Sequence, residues 1–77
     1  MNQDKAVQAL LDKIEPGRLY EIKEAAAILD LSQKVVYTLV AEGGIKAFRM
    51  RGRWKIHSVS LCEYIKKSWM AEPKEKL

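Results

Sequence analysis

The stretch from Lys46 to Ile56, KAFRMRGRWKI, constrains the fold more than any other part of the chain. Phe48 and Met50 alternate with Arg49 and Arg51, and Trp54 and Ile56 alternate with Arg53 and Lys55, which is the period of a strand with one apolar and one wet face. Gly52 lies between the two runs, so the segment reads as a β-hairpin. A two-residue loop at Arg51-Gly52 sets Met50 opposite Arg53 and Phe48 opposite Lys55, mixing apolar and charged side chains on one face. A three-residue loop, Arg51-Gly52-Arg53, pairs Met50 with Trp54 and Phe48 with Ile56 and leaves Arg49 and Lys55 together on the other side. Register follows the hydrophobic pattern, so the sequence predicts the three-residue loop, with Gly52 at a positive φ. The expected hairpin has an apolar underside and a basic tip and outer face. It cannot stand alone.

Charge singles out the same segment. Lys46, Arg49, Arg51, Arg53 and Lys55 fall in it without a single acid, while the rest of the chain carries nine bases against ten acids, so the formal net charge of +4 resides here. A nucleic-acid partner is the first class this suggests, and the helix-turn-helix that precedes the segment makes it double-stranded DNA. Other classes find little support. The 77 residues make one domain that buries about 60% of its unfolded surface, with no room for a cleft between domains. Cys62 is the one cysteine and His57 the one histidine, so neither an internal disulfide nor a Cys/His metal cluster is expected. Clustered carboxylates, a nucleophile beside a base and a phosphate-cradling glycine loop are all missing, so no catalytic residues, no enzyme and no cofactor are expected. No apolar run reaches membrane length, and MNQDKAVQALL lacks the basic start and long apolar region of a signal peptide. The expected setting is the cytoplasm, in a bacterial or phage context, with no membrane partner.

Along the chain, Asp4 to Ile14 reads as a short amphipathic helix capped by Asp4, with Val7, Leu10, Leu11 and Ile14 in one stripe. That stripe suits packing on the domain core, and a homodimer contact is the alternative use. Glu15-Pro16-Gly17 stops the helix, and Leu19-Tyr20 leads extended into a second one, Ile22 to Leu29, rich in alanine. Asp30-Leu31-Ser32 breaks the run, and Ser32 is a good N-cap for a third helix, Gln33 to Glu42, ended by Gly43-Gly44. Val36, Leu39 and Val40 should face inward, and Gln33, Lys34, Tyr37, Thr38 and Ala41 wholly or partly outward. After the hairpin, Ser58 should cap a fourth helix to about Ser68, with Leu61, Tyr64 and Ile65 inside, Cys62 as filler and Trp69 near the end. The resulting organisation is an N-terminal helix over 1–15, a winged helix-turn-helix over 19–69 and a flexible tail over 70–77. The class is mainly α with a small β-hairpin.

A helix-turn-helix offers its second helix to the major groove, and a basic hairpin beside it grips the backbone or the neighbouring minor groove. Gln33 and Lys34 in the first turn, with Thr38 one turn on, are the candidate base contacts. Tyr37, Arg49, Arg51, Arg53 and Lys55 are the candidate backbone contacts, which set affinity and salt dependence. Trp54 and Phe48 are expected in the core rather than as stacking platforms, Tyr37 is divided between core and surface, and His57 is expected in a turn, adding to the basic field when protonated.

The residues EAAAIL (24–29), LS (31–32), VYTLV (36–40), EG (42–43) and GRWKI (52–56), followed by a helix with Leu61 and Tyr64, resemble the small DNA-binding domains of the excisionase family. That family is related to the winged helix-turn-helix domain of the mercury-resistance regulators. The resemblance runs from Leu19 to about Ile65. It implies sequence-directed DNA binding around Lys34 and Tyr37, a wing over Arg49 to Lys55, and roles in excision, transposition or transcriptional control, with a recombinase or regulatory protein as further partner. The chain departs from the family pattern at Gln33 and Thr38, where arginine is common, at Lys46 and His57, where proline is common, and at Glu21, where a threonine or serine cap is usual. The changes at Gln33 and Thr38 make the third helix less cationic. They also keep open a rival reading, a protein-interaction module on a winged-helix scaffold with weak or no DNA binding.

Overall fold

The computed structural model describes residues 2–71, with side chains over 5–69. The elements are α1 (Asn2–Leu11), β1 (Leu19–Tyr20), α2 (Ile22–Leu29), α3 (Gln33–Ala41), β2 (Phe48–Met50), β3 (Arg53–His57) and α4 (Ser58–Ala71). The strands form one antiparallel sheet in the order β1-β3-β2. This is the winged helix-turn-helix that the sequence predicts.

Local chemistry sets the helix-turn-helix. Ala25 and Ala26 are buried, and their small side chains let α3 cross α2 closely. Asp30 ends α2 in the left-handed conformation, φ 59°, and its N–H and that of Leu31 both donate to the Ala26 carbonyl. Two residues later the Ser32 hydroxyl accepts from the Val35 N–H at 3.1 Å, the expected cap of α3. At the far end Gly43 takes φ +84°, and the Gly44 N–H donates to the Leu39 carbonyl at 2.7 Å. This sharp exit drops Ile45, 1% exposed, into the core beside Val36, Ile56 and Leu61.

Helix α1 is shifted from its expected place. It starts before Asp4, which therefore lies inside the helix rather than at its cap, and it ends at Leu11. Lys13 and Ile14 donate back across only three residues, to Leu10 and Leu11, and this tightened turn carries Ile14 inward. Val7, Leu10 and Leu11 pack, half-buried, against the core. The connection to β1 is pinned at two points: the Tyr20 hydroxyl accepts from the Glu15 N–H at 2.8 Å, and the Ser58 hydroxyl from the Gly17 N–H at 3.0 Å.

Two expectations are overturned. The hairpin pairs Phe48 with Lys55, Arg49 with Trp54 and Met50 with Arg53, which is the two-residue loop and not the three-residue one. Arg51 and Gly52 both have positive φ, 55° and 81°, as a type I′ turn requires. The twist of that turn matches the flanking strands, and this outweighs burial of Phe48 and Met50, which stay 44% and 46% exposed. Phe48 is thus not a core residue, and Arg49 and Lys55 lie on opposite faces. Ser58, in turn, is not the cap of α4. The Nδ1 of His57 accepts the Val59 N–H at 3.0 Å and caps the helix, while the Ser58 hydroxyl is buried against the α1–β1 connection. The tail expected over 70–77 lies, from 72 onward, outside the described residues. Among the described residues no helix is long and apolar enough to cross a membrane.

Candidate nucleic-acid interface

Helix α3 turns Val36 and Val40 inward and leaves Gln33, Lys34, Tyr37 and Thr38 exposed. The four fall in two rows of i, i+4 neighbours, Gln33 with Tyr37 and Lys34 with Thr38. Tyr37 is 48% exposed, so it belongs to the surface rather than the core. Thr38 donates its hydroxyl to the Lys34 carbonyl at 3.0 Å, which leaves its methyl group and an oxygen lone pair for a ligand.

The corrected register sorts the wing side chains. Cross-strand partners share a face, so Tyr20, Ile56, Trp54 and Arg49 lie on the inner side, and Glu21, Lys55, Arg53, Phe48 and Met50 on the outer. On the inner side the guanidinium of Arg49 stacks on the Trp54 ring, 5.0 Å from its centroid. Trp54 also lines a cleft with Gln33, Ile22, Lys23, Glu21 and Arg53. Gln33 at the start of α3 and Arg53 and Trp54 of the wing thus line one cleft, with Arg49 on the Trp54 ring. Trp54 Nε1 is buried there with no hydrogen-bond partner among the described residues. Arg51 stands at the exposed tip. Lys46 does not join this group: it lines a hollow with Gly43 and Gly44 and with Glu63, Lys66 and Lys67 of α4.

The wing is free of acids in sequence but not in space. Continuing the β1–β3 register brings Glu21 across from Lys55, and a single carboxylate oxygen, Oε2, accepts from Lys55 Nζ at 2.9 Å and Arg53 Nη1 at 2.8 Å. The hydrogen bond from Lys55, and then the positive charges of Arg53 and Lys55, hold the Glu21 carboxyl below its ordinary value. Glu24 braces the junction, accepting the Glu21 N–H at 2.9 Å and the Arg18 guanidinium at 2.9 Å. Among the described residues neither Arg49 nor Arg51 has an ion-pair partner.

Glu21 and Lys23 are the site residues that sequence reasoning missed. A signal for Glu21 was available, since a glutamate stands where a threonine or serine cap is usual, but its partners lie more than 30 positions away. Lys23 had no signal before the cleft was seen. In comparisons with known proteins, a family model described as a helix-turn-helix domain matches residues 19–68. Neither the curated proteins nor the solved structures give a significant match.

Proposed function

This chain belongs to the helix-turn-helix domain family, and we propose that it is a small sequence-directed factor of the excisionase type, architectural or regulatory, acting on double-stranded DNA. Helix α3 lies in the major groove, with Gln33, Lys34 and Thr38 toward base edges. Glutamine forms a paired contact to adenine, lysine donates to guanine, and the Thr38 methyl suits a thymine methyl. Tyr37, Arg49 and Arg51 hold phosphates, and Arg53 and Lys55 do so where Glu21 releases them. The observation that supports this most is at Trp54, which shares a cleft with Gln33 at the start of α3 and carries the guanidinium of Arg49, a cation with no ion-pair partner among the described residues. The interaction-module reading draws on the α1 stripe, and that stripe packs on the core.

Fluorescence anisotropy with random-sequence duplex at low salt tests the proposal. The Arg49→Ala/Arg51→Ala protein is expected to bind more weakly and to flatten the dependence of log Kobs on log salt by about 1.8, at 0.9 for each cation lost. Binding equal to the parent's would remove the wing from the interface.

A further inference from the structure

Resting on the DNA-binding reading, we propose that Glu21 is a specificity-determining residue: its carboxylate fills, from within the chain, the oxyanion position between Arg53 and Lys55 and holds these cations back from random duplex DNA.

The geometry carries the argument. Both cations converge on one oxygen, Oε2, at 2.8 and 2.9 Å, the spacing and chemistry with which they would hold a phosphate oxygen. A phosphate bridging the two must therefore take the place of Oε2. The cluster is open to such exchange from the Arg53 side, because the side chains of Arg53 and Glu21 are 67% and 37% exposed, while that of Lys55 is 22%. It is also the one place where an acid reaches the wing cations among the described residues, so the five positive charges of the segment do not act alike. Arg49 and Arg51, with no ion-pair partner among the described residues, meet any duplex at full charge. Arg53 and Lys55 share one carboxylate, so together they meet it with one net positive charge in place of two, and the second becomes free for a phosphate only when Glu21 gives it up. A random duplex, which offers phosphates but no matching bases for α3, gains little from that exchange. A matched site, on which α3 seats the wing close to the backbone, gains more. Glu21 thus lowers random binding more than matched binding, as expected of a device that adds discrimination through an unfavourable element.

A merely structural glutamate makes a different prediction. If Glu21 served only to position the wing or start α2, removing its charge would loosen the wing and weaken binding. Two variants separate these roles. Glu21→Gln keeps the shape without the charge, and Glu21→Thr keeps a favoured N-cap residue, which guards against loss of folding. The full chain is titrated on a random-sequence duplex between 50 and 200 mM salt. Both variants are expected to bind tighter than the parent at 50 mM, with a slope steeper by about 0.9 for the one net cation gained, so that their advantage shrinks about 3.5-fold across this range. Adding Arg53→Ala and Lys55→Ala to Glu21→Gln is expected to erase the gain. Slopes that coincide with the parent's, or become shallower, would overturn the role of Glu21 and leave DNA binding standing. If neither the parent nor Glu21→Gln binds at 50 mM, the DNA-binding reading falls, and this one with it.

Discussion

Replacing Arg51 by asparagine separates what the wing needs to fold from what it needs to bind. Arg51 holds φ 55° at the first central position of the type I′ turn. A left-handed conformation costs an ordinary side chain about 1–2 kcal/mol, which asparagine largely avoids, and Asn-Gly is the preferred pair for this turn. Arg51 is exposed and makes no ion pair among the described residues, so the fold loses little with it. Arg51→Asn should therefore stabilise the domain by about 1 kcal/mol, a rise of about 4–8 °C in the thermal midpoint for a chain of this size. DNA binding should move the other way. One phosphate cation is lost, the salt slope flattens by about 0.9, and affinity for random duplex drops at low salt. Melts followed by circular dichroism give the first number and anisotropy titrations the second. A lowered midpoint would show that the turn is not relieved by asparagine, and unchanged binding would show that the tip does not touch phosphate.

Other substitutions probe the frame. Ser32→Ala removes the acceptor of the Val35 N–H at the start of α3, and urea titration should show a loss of about 1 kcal/mol. Leu61→Ala empties a fully buried position and should cost about 2–5 kcal/mol, close to the whole stability of a small domain, so the variant should be largely unfolded at 37 °C by circular dichroism. The Glu21 carboxyl, facing Arg53 and Lys55, has a folded pKa below the ordinary 4.5, so its contribution to stability is complete above that value and lost as pH falls through the lowered one. The gap in thermal midpoint between the parent and Glu21→Gln should be constant near neutrality and close in acid. A gap that persists unchanged in acid would contradict the pairing.

The fold was legible in the sequence wherever a local signal decided it. Ser32, the alanines of α2 and the glycine pair after α3 each act on neighbours within a few residues, and each stands where expected. The wing was legible as a hairpin but not in its register. Alternation alone favours covering Phe48 and Met50, whereas the twist of a type I′ turn acts on the backbone whatever the side chains do. His57 and Ser58 exchanged roles for a similar reason. The serine hydroxyl is drawn to the Gly17 N–H, 41 positions away, and the histidine ring takes the cap that is left. The partial neutralisation of the wing was the least visible feature, because it depends on Leu19-Tyr20 being a strand paired with β3, and two residues carry too little pattern to announce one.

The central claim is that α3 reads sequence while the wing supplies affinity, and selection of bound duplexes from a random DNA pool tests it most directly. The parent should enrich one motif. Gln33→Ala or Lys34→Ala should relax individual positions within that motif, and Arg49→Ala/Arg51→Ala should weaken binding to all sequences while leaving the motif unchanged. A pool that stays random while binding persists would contradict reading by α3. A motif altered by the wing variant and untouched by the α3 variants would reverse the two roles.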